Sequence, residues 1–160
     1  MKRLFLYLLI AGSLIACSTS KTSTPEELAK IQETIDKIET GDYSIVVNMA
    51  VPLRGKSIPL TSLYDLTIRN DSAIAYLPFF GRATYAPYGG GEGGIKFALP
   101  VENYQSKVNK KNNGYDVQFK INTPEYNYQF YLTLFNNGQS TIAVNSPQRD
   151  AITFYGYIKE

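Results

Sequence analysis

From Tyr43 onward the hydrophobic period of this chain is two, and it stays two almost to the end. Tyr43, Ile45, Val47, Met49 and Val51 alternate with Ser44 and Asn48. Tyr64, Leu66 and Ile68 alternate with Asp65, Thr67 and Arg69, and Asn70-Asp71-Ser72 then reverses the chain into Ile74 and Tyr76. Tyr115, Val117, Phe119 and Ile121 alternate with Asp116, Gln118, Lys120 and Asn122. Tyr126, Tyr128, Phe130, Leu132 and Leu134 make one face of the next run, Ile142 and Val144 of another, and Ile152, Phe154 and Ile158 of the last. Successive side chains of a strand point to opposite faces, so each run predicts a strand with one apolar and one polar side. Asn112-Asn113-Gly114 and Asn136-Asn137-Gly138 supply hairpin turns. Strands joined by short turns make an antiparallel meander. A flat sheet with one apolar face would leave half a core in water, so it must curl, close or fold over. The expected fold is mainly β: a meander of eight or nine strands, strongly curled or barrel-like, with one N-terminal α-helix. A two-layer β-sandwich is the alternative.

The helix is announced by Thr24-Pro25-Glu26-Glu27: a capping Thr, a Pro suited to the first helical position, and Glu27 placed to complete a capping box. Leu28, Ile31, Ile35 and Ile38 follow as a narrow apolar stripe, and Gly41 stops it. The stripe is expected to pack across an opening of the sheet.

Ahead of the helix, Lys2-Arg3 leads into an apolar run from Leu4 to Ile10 and then Ala11-Gly12-Ser13. This is the pattern of a secretory signal, too short to span a bilayer, which takes roughly 20 residues. It closes on Leu14-Ile15-Ala16-Cys17, which resembles the bacterial lipobox. That resemblance implies cleavage before Cys17, diacylation of its thiol and acylation of the new amine by palmitate-type chains. Several long chains anchor durably, because each buried methylene contributes about 0.8 kcal/mol. The expected organisation is a lipoprotein signal peptide over 1–16, a flexible tether over 17–23 and one domain over 24–160. The signal's loss takes the 16 basic residues to 14, equal to the 14 acidic ones. The mature chain is then neutral, which offers nothing to nucleic acid. No acidic cluster flanks Cys17, in keeping with the outer membrane of the cell envelope and a periplasmic face.

The chain has no His and one Cys. That excludes Ser-His-Asp and Cys-His triads, His-ligated zinc and any internal disulfide. Gly89-Gly90-Gly91-Glu92-Gly93-Gly94 matches a dinucleotide fingerprint by letter but leads into a strand rather than a helix. Gly55-Lys56-Ser57 resembles a P-loop tail, yet Ala50 stands where the upstream Gly is needed and Pro59 blocks the helix. No cofactor is expected, and no metal. Carboxylates are the remaining acid–base groups, and none of Glu92, Glu102, Asp116, Glu125 or Asp150 is placed by the sequence as half of a hydrolytic pair.

Tyr76 to Gly94 is longer than an ordinary connection and carries Phe79, Phe80, Tyr85 and Tyr88. Either the rings plug one end of the sheet as a packed loop, or Tyr rings stack on a ligand while Arg82 holds an anionic group. The packed loop is the simpler of the two.

Within it, Tyr76-Leu77-Pro78-Phe79-Phe80-Gly81-Arg82-Ala83 and Ala86-Pro87-Tyr88-Gly89-Gly90-Gly91 resemble a family of Bacteroidetes lipoproteins known as domain of unknown function 4251. Residues 144–157, Val144 to Tyr157, are similar to its second signature, and Gly55 to Leu60 to a further phrase. The resemblance implies an envelope lipoprotein and no assigned activity. It singles out Arg82 and Arg149, one in each signature, as anion partners at one rim or as structural residues bonding loop carbonyls, Glu92 or Asp150. The expected function is non-catalytic binding of a glycan, lipid or other amphiphile. The candidate ligand residues are Tyr76, Phe79, Phe80, Arg82, Tyr85, Tyr88 and Arg149, with Cys17 as the membrane anchor. The alternative is a subunit docking on another envelope protein through a sheet edge or the aromatic loop. A carboxylate-dependent hydrolase is a more distant third.

Overall fold

The computed structural model describes residues 24–84 and 93–159. The signal segment, the tether with Cys17, and Tyr85, Tyr88 and Glu92 lie outside the described residues. Helix α1 (Pro25–Thr40) starts on the expected capping box: Glu27 N–H donates to Thr24 Oγ1 at 3.3 Å, and Thr24 N–H donates to Glu27 Oε2 at 2.9 Å. Gly41 ends it in the left-handed region, φ 69°.

Nine strands follow among the described residues: β1 (Asp42–Pro52), β2 (Ile58–Arg69), β3 (Ser72–Leu77), β4 (Ile95–Pro100), β5 (Glu102–Asn109), β6 (Gly114–Asn122), β7 (Asn127–Phe135), β8 (Gln139–Ser146) and β9 (Arg149–Ile158). They form one antiparallel sheet in the order β4-β3-β2-β1-β9-β8-β7-β6-β5. The first and last strands pair along Ile45–Pro52 and Ile152–Ile158, which joins two meanders into one curl. The terminal strands of that order are consecutive in the chain. β4 pairs with β3 and, one residue later, β5 pairs with β6, so a single bent run from Ile95 to Asn109 spans the gap. The result is a nearly closed, barrel-like sheet rather than a sandwich.

The interior is filled with rings and branched side chains. Phe119 and Phe130 stack at 4.9 Å with 7° between planes, and Phe97 from β4 meets Phe130 edge-on at 5.7 Å across the curl. Tyr104 on β5 lies 6.3 Å from Phe119, and its hydroxyl meets that of Tyr43 at 3.4 Å.

Three expectations need correction. Met49 and Val51 face outward, because a β-bulge between Val47 and Met49 slips the phase and turns Ala50 and Pro52 inward. The β2 residue opposite Met49 is Pro59, which has no N–H to give to a regular ladder. Ile74 and Tyr76 also face outward. The two-residue reversal pairs Arg69 with Ser72, so inward Ile68 sits opposite Ala73, and Ala73, Ala75 and Leu77 form the buried face. Third, α1 does not bury its whole apolar stripe against the barrel. Ile38 is buried and Ile31 and Ile35 are half-buried, but Leu28 is 56% exposed, because the helix meets β1 at its C-terminal end and leaves an open groove between its first turns and the β7–β8 turn. Lys37 and Glu39 tie the last turn to the Lys159 carbonyl and the Tyr115 hydroxyl.

Candidate functional site

At the far end of β9 from α1, three connections converge on Arg149. The segment after β3 pairs with the start of β9 as a short bridge, Ala83 opposite Arg149. Thr84 N–H donates to the Gln148 carbonyl and Asp150 N–H to the Arg82 carbonyl, both at 2.9 Å. Asp150 Oδ2 accepts from Arg82 N–H at 3.1 Å. Gly81 lies tight beneath this joint: a Cβ there would sit 3.0 Å from Asp150 Cβ and from the Phe79 ring. The β6–β7 turn is closed by Thr123, whose N–H and hydroxyl both donate to the Tyr126 carbonyl, and by Tyr126 N–H donating back to Thr123 Oγ1. Pro124 presets the second turn position.

The Arg149 guanidinium carbon stands 3.6 Å from the centre of the Tyr126 ring and 4.8 Å from that of Phe79. Planar guanidinium stacks readily on such faces, and the attraction is strongest where water is excluded. Arg149 Nη1 donates to the Gly94 carbonyl at 3.2 Å, while Nε is buried with no hydrogen-bond partner. Beside it opens a cleft of about 340 Å³ lined by Gly94, Lys96, Thr123, Glu125, Tyr126 and Tyr128 with Arg149 itself. Burial pushes the Tyr128 phenol up from 10.0 to about 12, against the pull of the Arg149 charge and with help from Tyr126 and Glu125. The phenol, protonated at neutral pH in any case, is held so further into the alkaline range. The arrangement can hold a planar or anionic group against a cation that its own neighbours leave partly unsatisfied.

The expected site residues divide. Phe79 and Phe80 are half-buried and pack on the core, as the plugging-loop reading requires. Arg149 bonds a loop carbonyl, as the structural reading requires, yet also fronts a cleft. Arg82 belongs to the joint through its backbone, with its side chain exposed. Tyr76 does not converge on the cleft directly: it lies on the outer face, stacked on Tyr64 at 5.4 Å, with Lys96 Nζ 4.9 Å from its ring centre. The cleft residues Tyr126, Tyr128, Lys96 and Glu125 were not on the expected list. Their signal was present, since Tyr126 and Tyr128 place hydroxyls on a face that continues as Phe130, Leu132 and Leu134. A phenol at the end of an apolar face needs a rim where its oxygen is satisfied. Among the described residues, no group of three or more His, Cys, Asp or Glu could hold a metal ion.

The phrases that carry the family resemblance come together here. The 76–83 segment is bridged to the 144–157 segment, and Leu53 N–H, just before the third phrase, donates to the Ala151 carbonyl at 3.0 Å. No curated protein matches the chain. It is similar in structure to a crystal structure of a DUF4251 family protein from Bacteroides eggerthii, with a TM-score of 0.59 and 16% identity over 81% of this chain and 87% of that one. At that identity the likeness shows the fold. The family model for the domain of unknown function DUF4251 matches residues 26–158, so the chain belongs to the DUF4251 family.

Proposed function

We propose that the protein is a non-catalytic binding module of the cell envelope, held by lipid at Cys17 on the periplasmic face of the outer membrane. It takes a small glycan, lipid headgroup or other amphiphile at the mouth of the barrel. The observation that carries this reading is Arg149: stacked on Tyr126, with a buried Nε that no protein atom among the described residues satisfies, at the wall of an accessible cleft. Unsatisfied buried donors are rare and costly, so one on a residue that lines a cleft marks that guanidinium as having bonding capacity its own neighbours do not use. The filled interior directs binding to this rim rather than to an enclosed cavity. The one carboxylate lining the cleft among the described residues is Glu125, which offers no partner for paired acid–base hydrolysis. Docking through a sheet edge is less well served. Lys96 and Pro100 guard β4, and a bulge between Glu102 and Gln105 together with Lys107 guards β5.

The test is an NMR titration of the full-length chain carrying Cys17→Ser against carboxylated and phosphorylated glycans and amphiphiles. Shifts centred on Tyr126, Tyr128 and Arg149, at least tenfold weaker in Arg149→Lys, support the reading. The lysine keeps the charge but loses the stack and the fork. Shifts elsewhere, or unchanged binding in that variant, overturn it.

A further inference from the structure

The outer face of β1, β9, β8 and β7 carries two complete cross-strand rows without a charged side chain. One row is Met49, Tyr155, Thr141 and Thr133; the other is Val51, Thr153, Ala143 and Tyr131. Asn145 and Gln129 make a shorter third row. In a chain with 19% charged residues this is a local departure, and it ends abruptly: Thr133 is followed across the sheet by Asp116 and then Lys107. Soluble surfaces ordinarily intersperse charges of both signs.

The rings on this face protrude, Tyr131 and Tyr155 each 45% exposed. They stand two strands and two residues apart, about 12 Å by ordinary sheet spacings, too far to seat one small ring between them. Among the described residues, the Tyr131, Tyr155, Thr141 and Thr153 hydroxyls and the Asn145 amide make no hydrogen bond within the protein. Grooves flank the rows, one of about 520 Å³ at Asn145 and Gln129 and one of about 390 Å³ beside Tyr131, and charged residues return at their far walls, Glu102 and Lys120 in the first and Lys107 and Asp116 in the second.

We infer that this face is a platform for an uncharged polysaccharide, with Tyr131 and Tyr155 stacking on separate sugar residues of one chain. Nucleic acid and anionic lipid surfaces demand Lys or Arg, which these rows lack. An apolar protein surface would bury the free hydroxyls and amide without partners, at a cost for each. A neutral, hydroxyl-rich polymer satisfies those groups and offers its C–H faces to the rings. The platform is on the outside of the sheet and does not depend on the Arg149 cleft.

Affinity electrophoresis of the full-length Cys17→Ser chain tests it, in gels containing a neutral β-glucan, a mannan, a dextran or, as charged control, polygalacturonate. Retardation by at least one neutral polymer is expected, reduced tenfold or more by Tyr131→Ala with Tyr155→Ala and unaffected by Arg149→Lys. Both tyrosines are surface residues, and circular dichroism checks that the double variant is folded; Ala143→Glu, a charge set between the rings, is an independent variant with the same expected loss. Migration unchanged by every neutral polymer overturns the proposal. So does retardation by polygalacturonate alone, or retardation that survives in both variants. Loss in Arg149→Lys but not in the tyrosine variants assigns the glycan to the cleft and likewise overturns the platform.

Discussion

At Gly156 the backbone of β9 runs so close to β1 that any Cβ would overlap the Val46 carbonyl oxygen. Gly156 stands opposite Val47, at the edge of the β1 bulge, so the glycine is required by close approach and not by its dihedral freedom. Gly114 is held the same way against the Leu134 carbonyl, while the positive φ of that turn falls on Asn113 at 49°. Gly156→Ala is expected to cost about 1–3 kcal/mol, because the obstacle is backbone and cannot rotate away. A urea midpoint measures it, with Tyr155→Ala as an adjacent exposed control within about 0.5 kcal/mol of the parent. Tyr128 gives a second residue-scale expectation. Its folded phenol holds the proton more tightly than the unfolded one, so this contribution to stability is complete below pH 10 and is lost as the pH rises towards about 12. Urea unfolding followed across that range is expected to show a shallower alkaline loss in Tyr128→Phe. Some loss persists there, because burial also raises the Tyr43 phenol, with Tyr104 adding to the effect.

Among elements, α1 is locally well specified and globally weakly attached. Its capping box and left-handed Gly41 fix both ends, but Ile38 is its one buried side chain. Thr24→Ala is therefore expected to fray the first turns, at about 0.5–2 kcal/mol of local helix stability, without moving the global melting temperature appreciably. Hydrogen exchange resolved by residue distinguishes the two levels. Ile38→Ala belongs to the barrel core instead and is expected to cost about 2–5 kcal/mol globally. The apolar stripe of this helix was legible in the sequence, but how much of it would be covered was not. Periodicity reports which side chains share a face, and coverage depends on where the sheet ends. The same limit explains β3, where Ile74 and Tyr76 read as the apolar face. Cross-strand pairing from a two-residue turn put Ala73 and Ala75 inside instead, against space already filled by larger side chains.

For the molecule as a whole, closure rests on a core assembled across the curl. Phe130 from β7 stacks on Phe119 of the neighbouring β6 and also meets Phe97 from β4, at the opposite end of the sheet order. Phe130→Ala is expected to cost about 3–5 kcal/mol and to open room for an apolar fluorescent probe that the parent does not take up. Uptake by the parent at equal strength contradicts a filled interior. By itself the sequence determined the class and the local rules: strands from the period of two, hairpins from Asn-Gly turns, a capped helix, and chemistry without imidazole. These depend on neighbours along the chain, and each run carries its own information. Only the tertiary structure decided that the first strand pairs with the last, that one bent run bridges the remaining gap, and that Arg149 meets Tyr126, Phe79 and Gly94. Those contacts join residues 23 to 70 positions apart in the Arg149 cluster, and no local pattern encodes them. They follow from how a twisted sheet must curl to bury one face, which brings the ends of distant strands to a common rim.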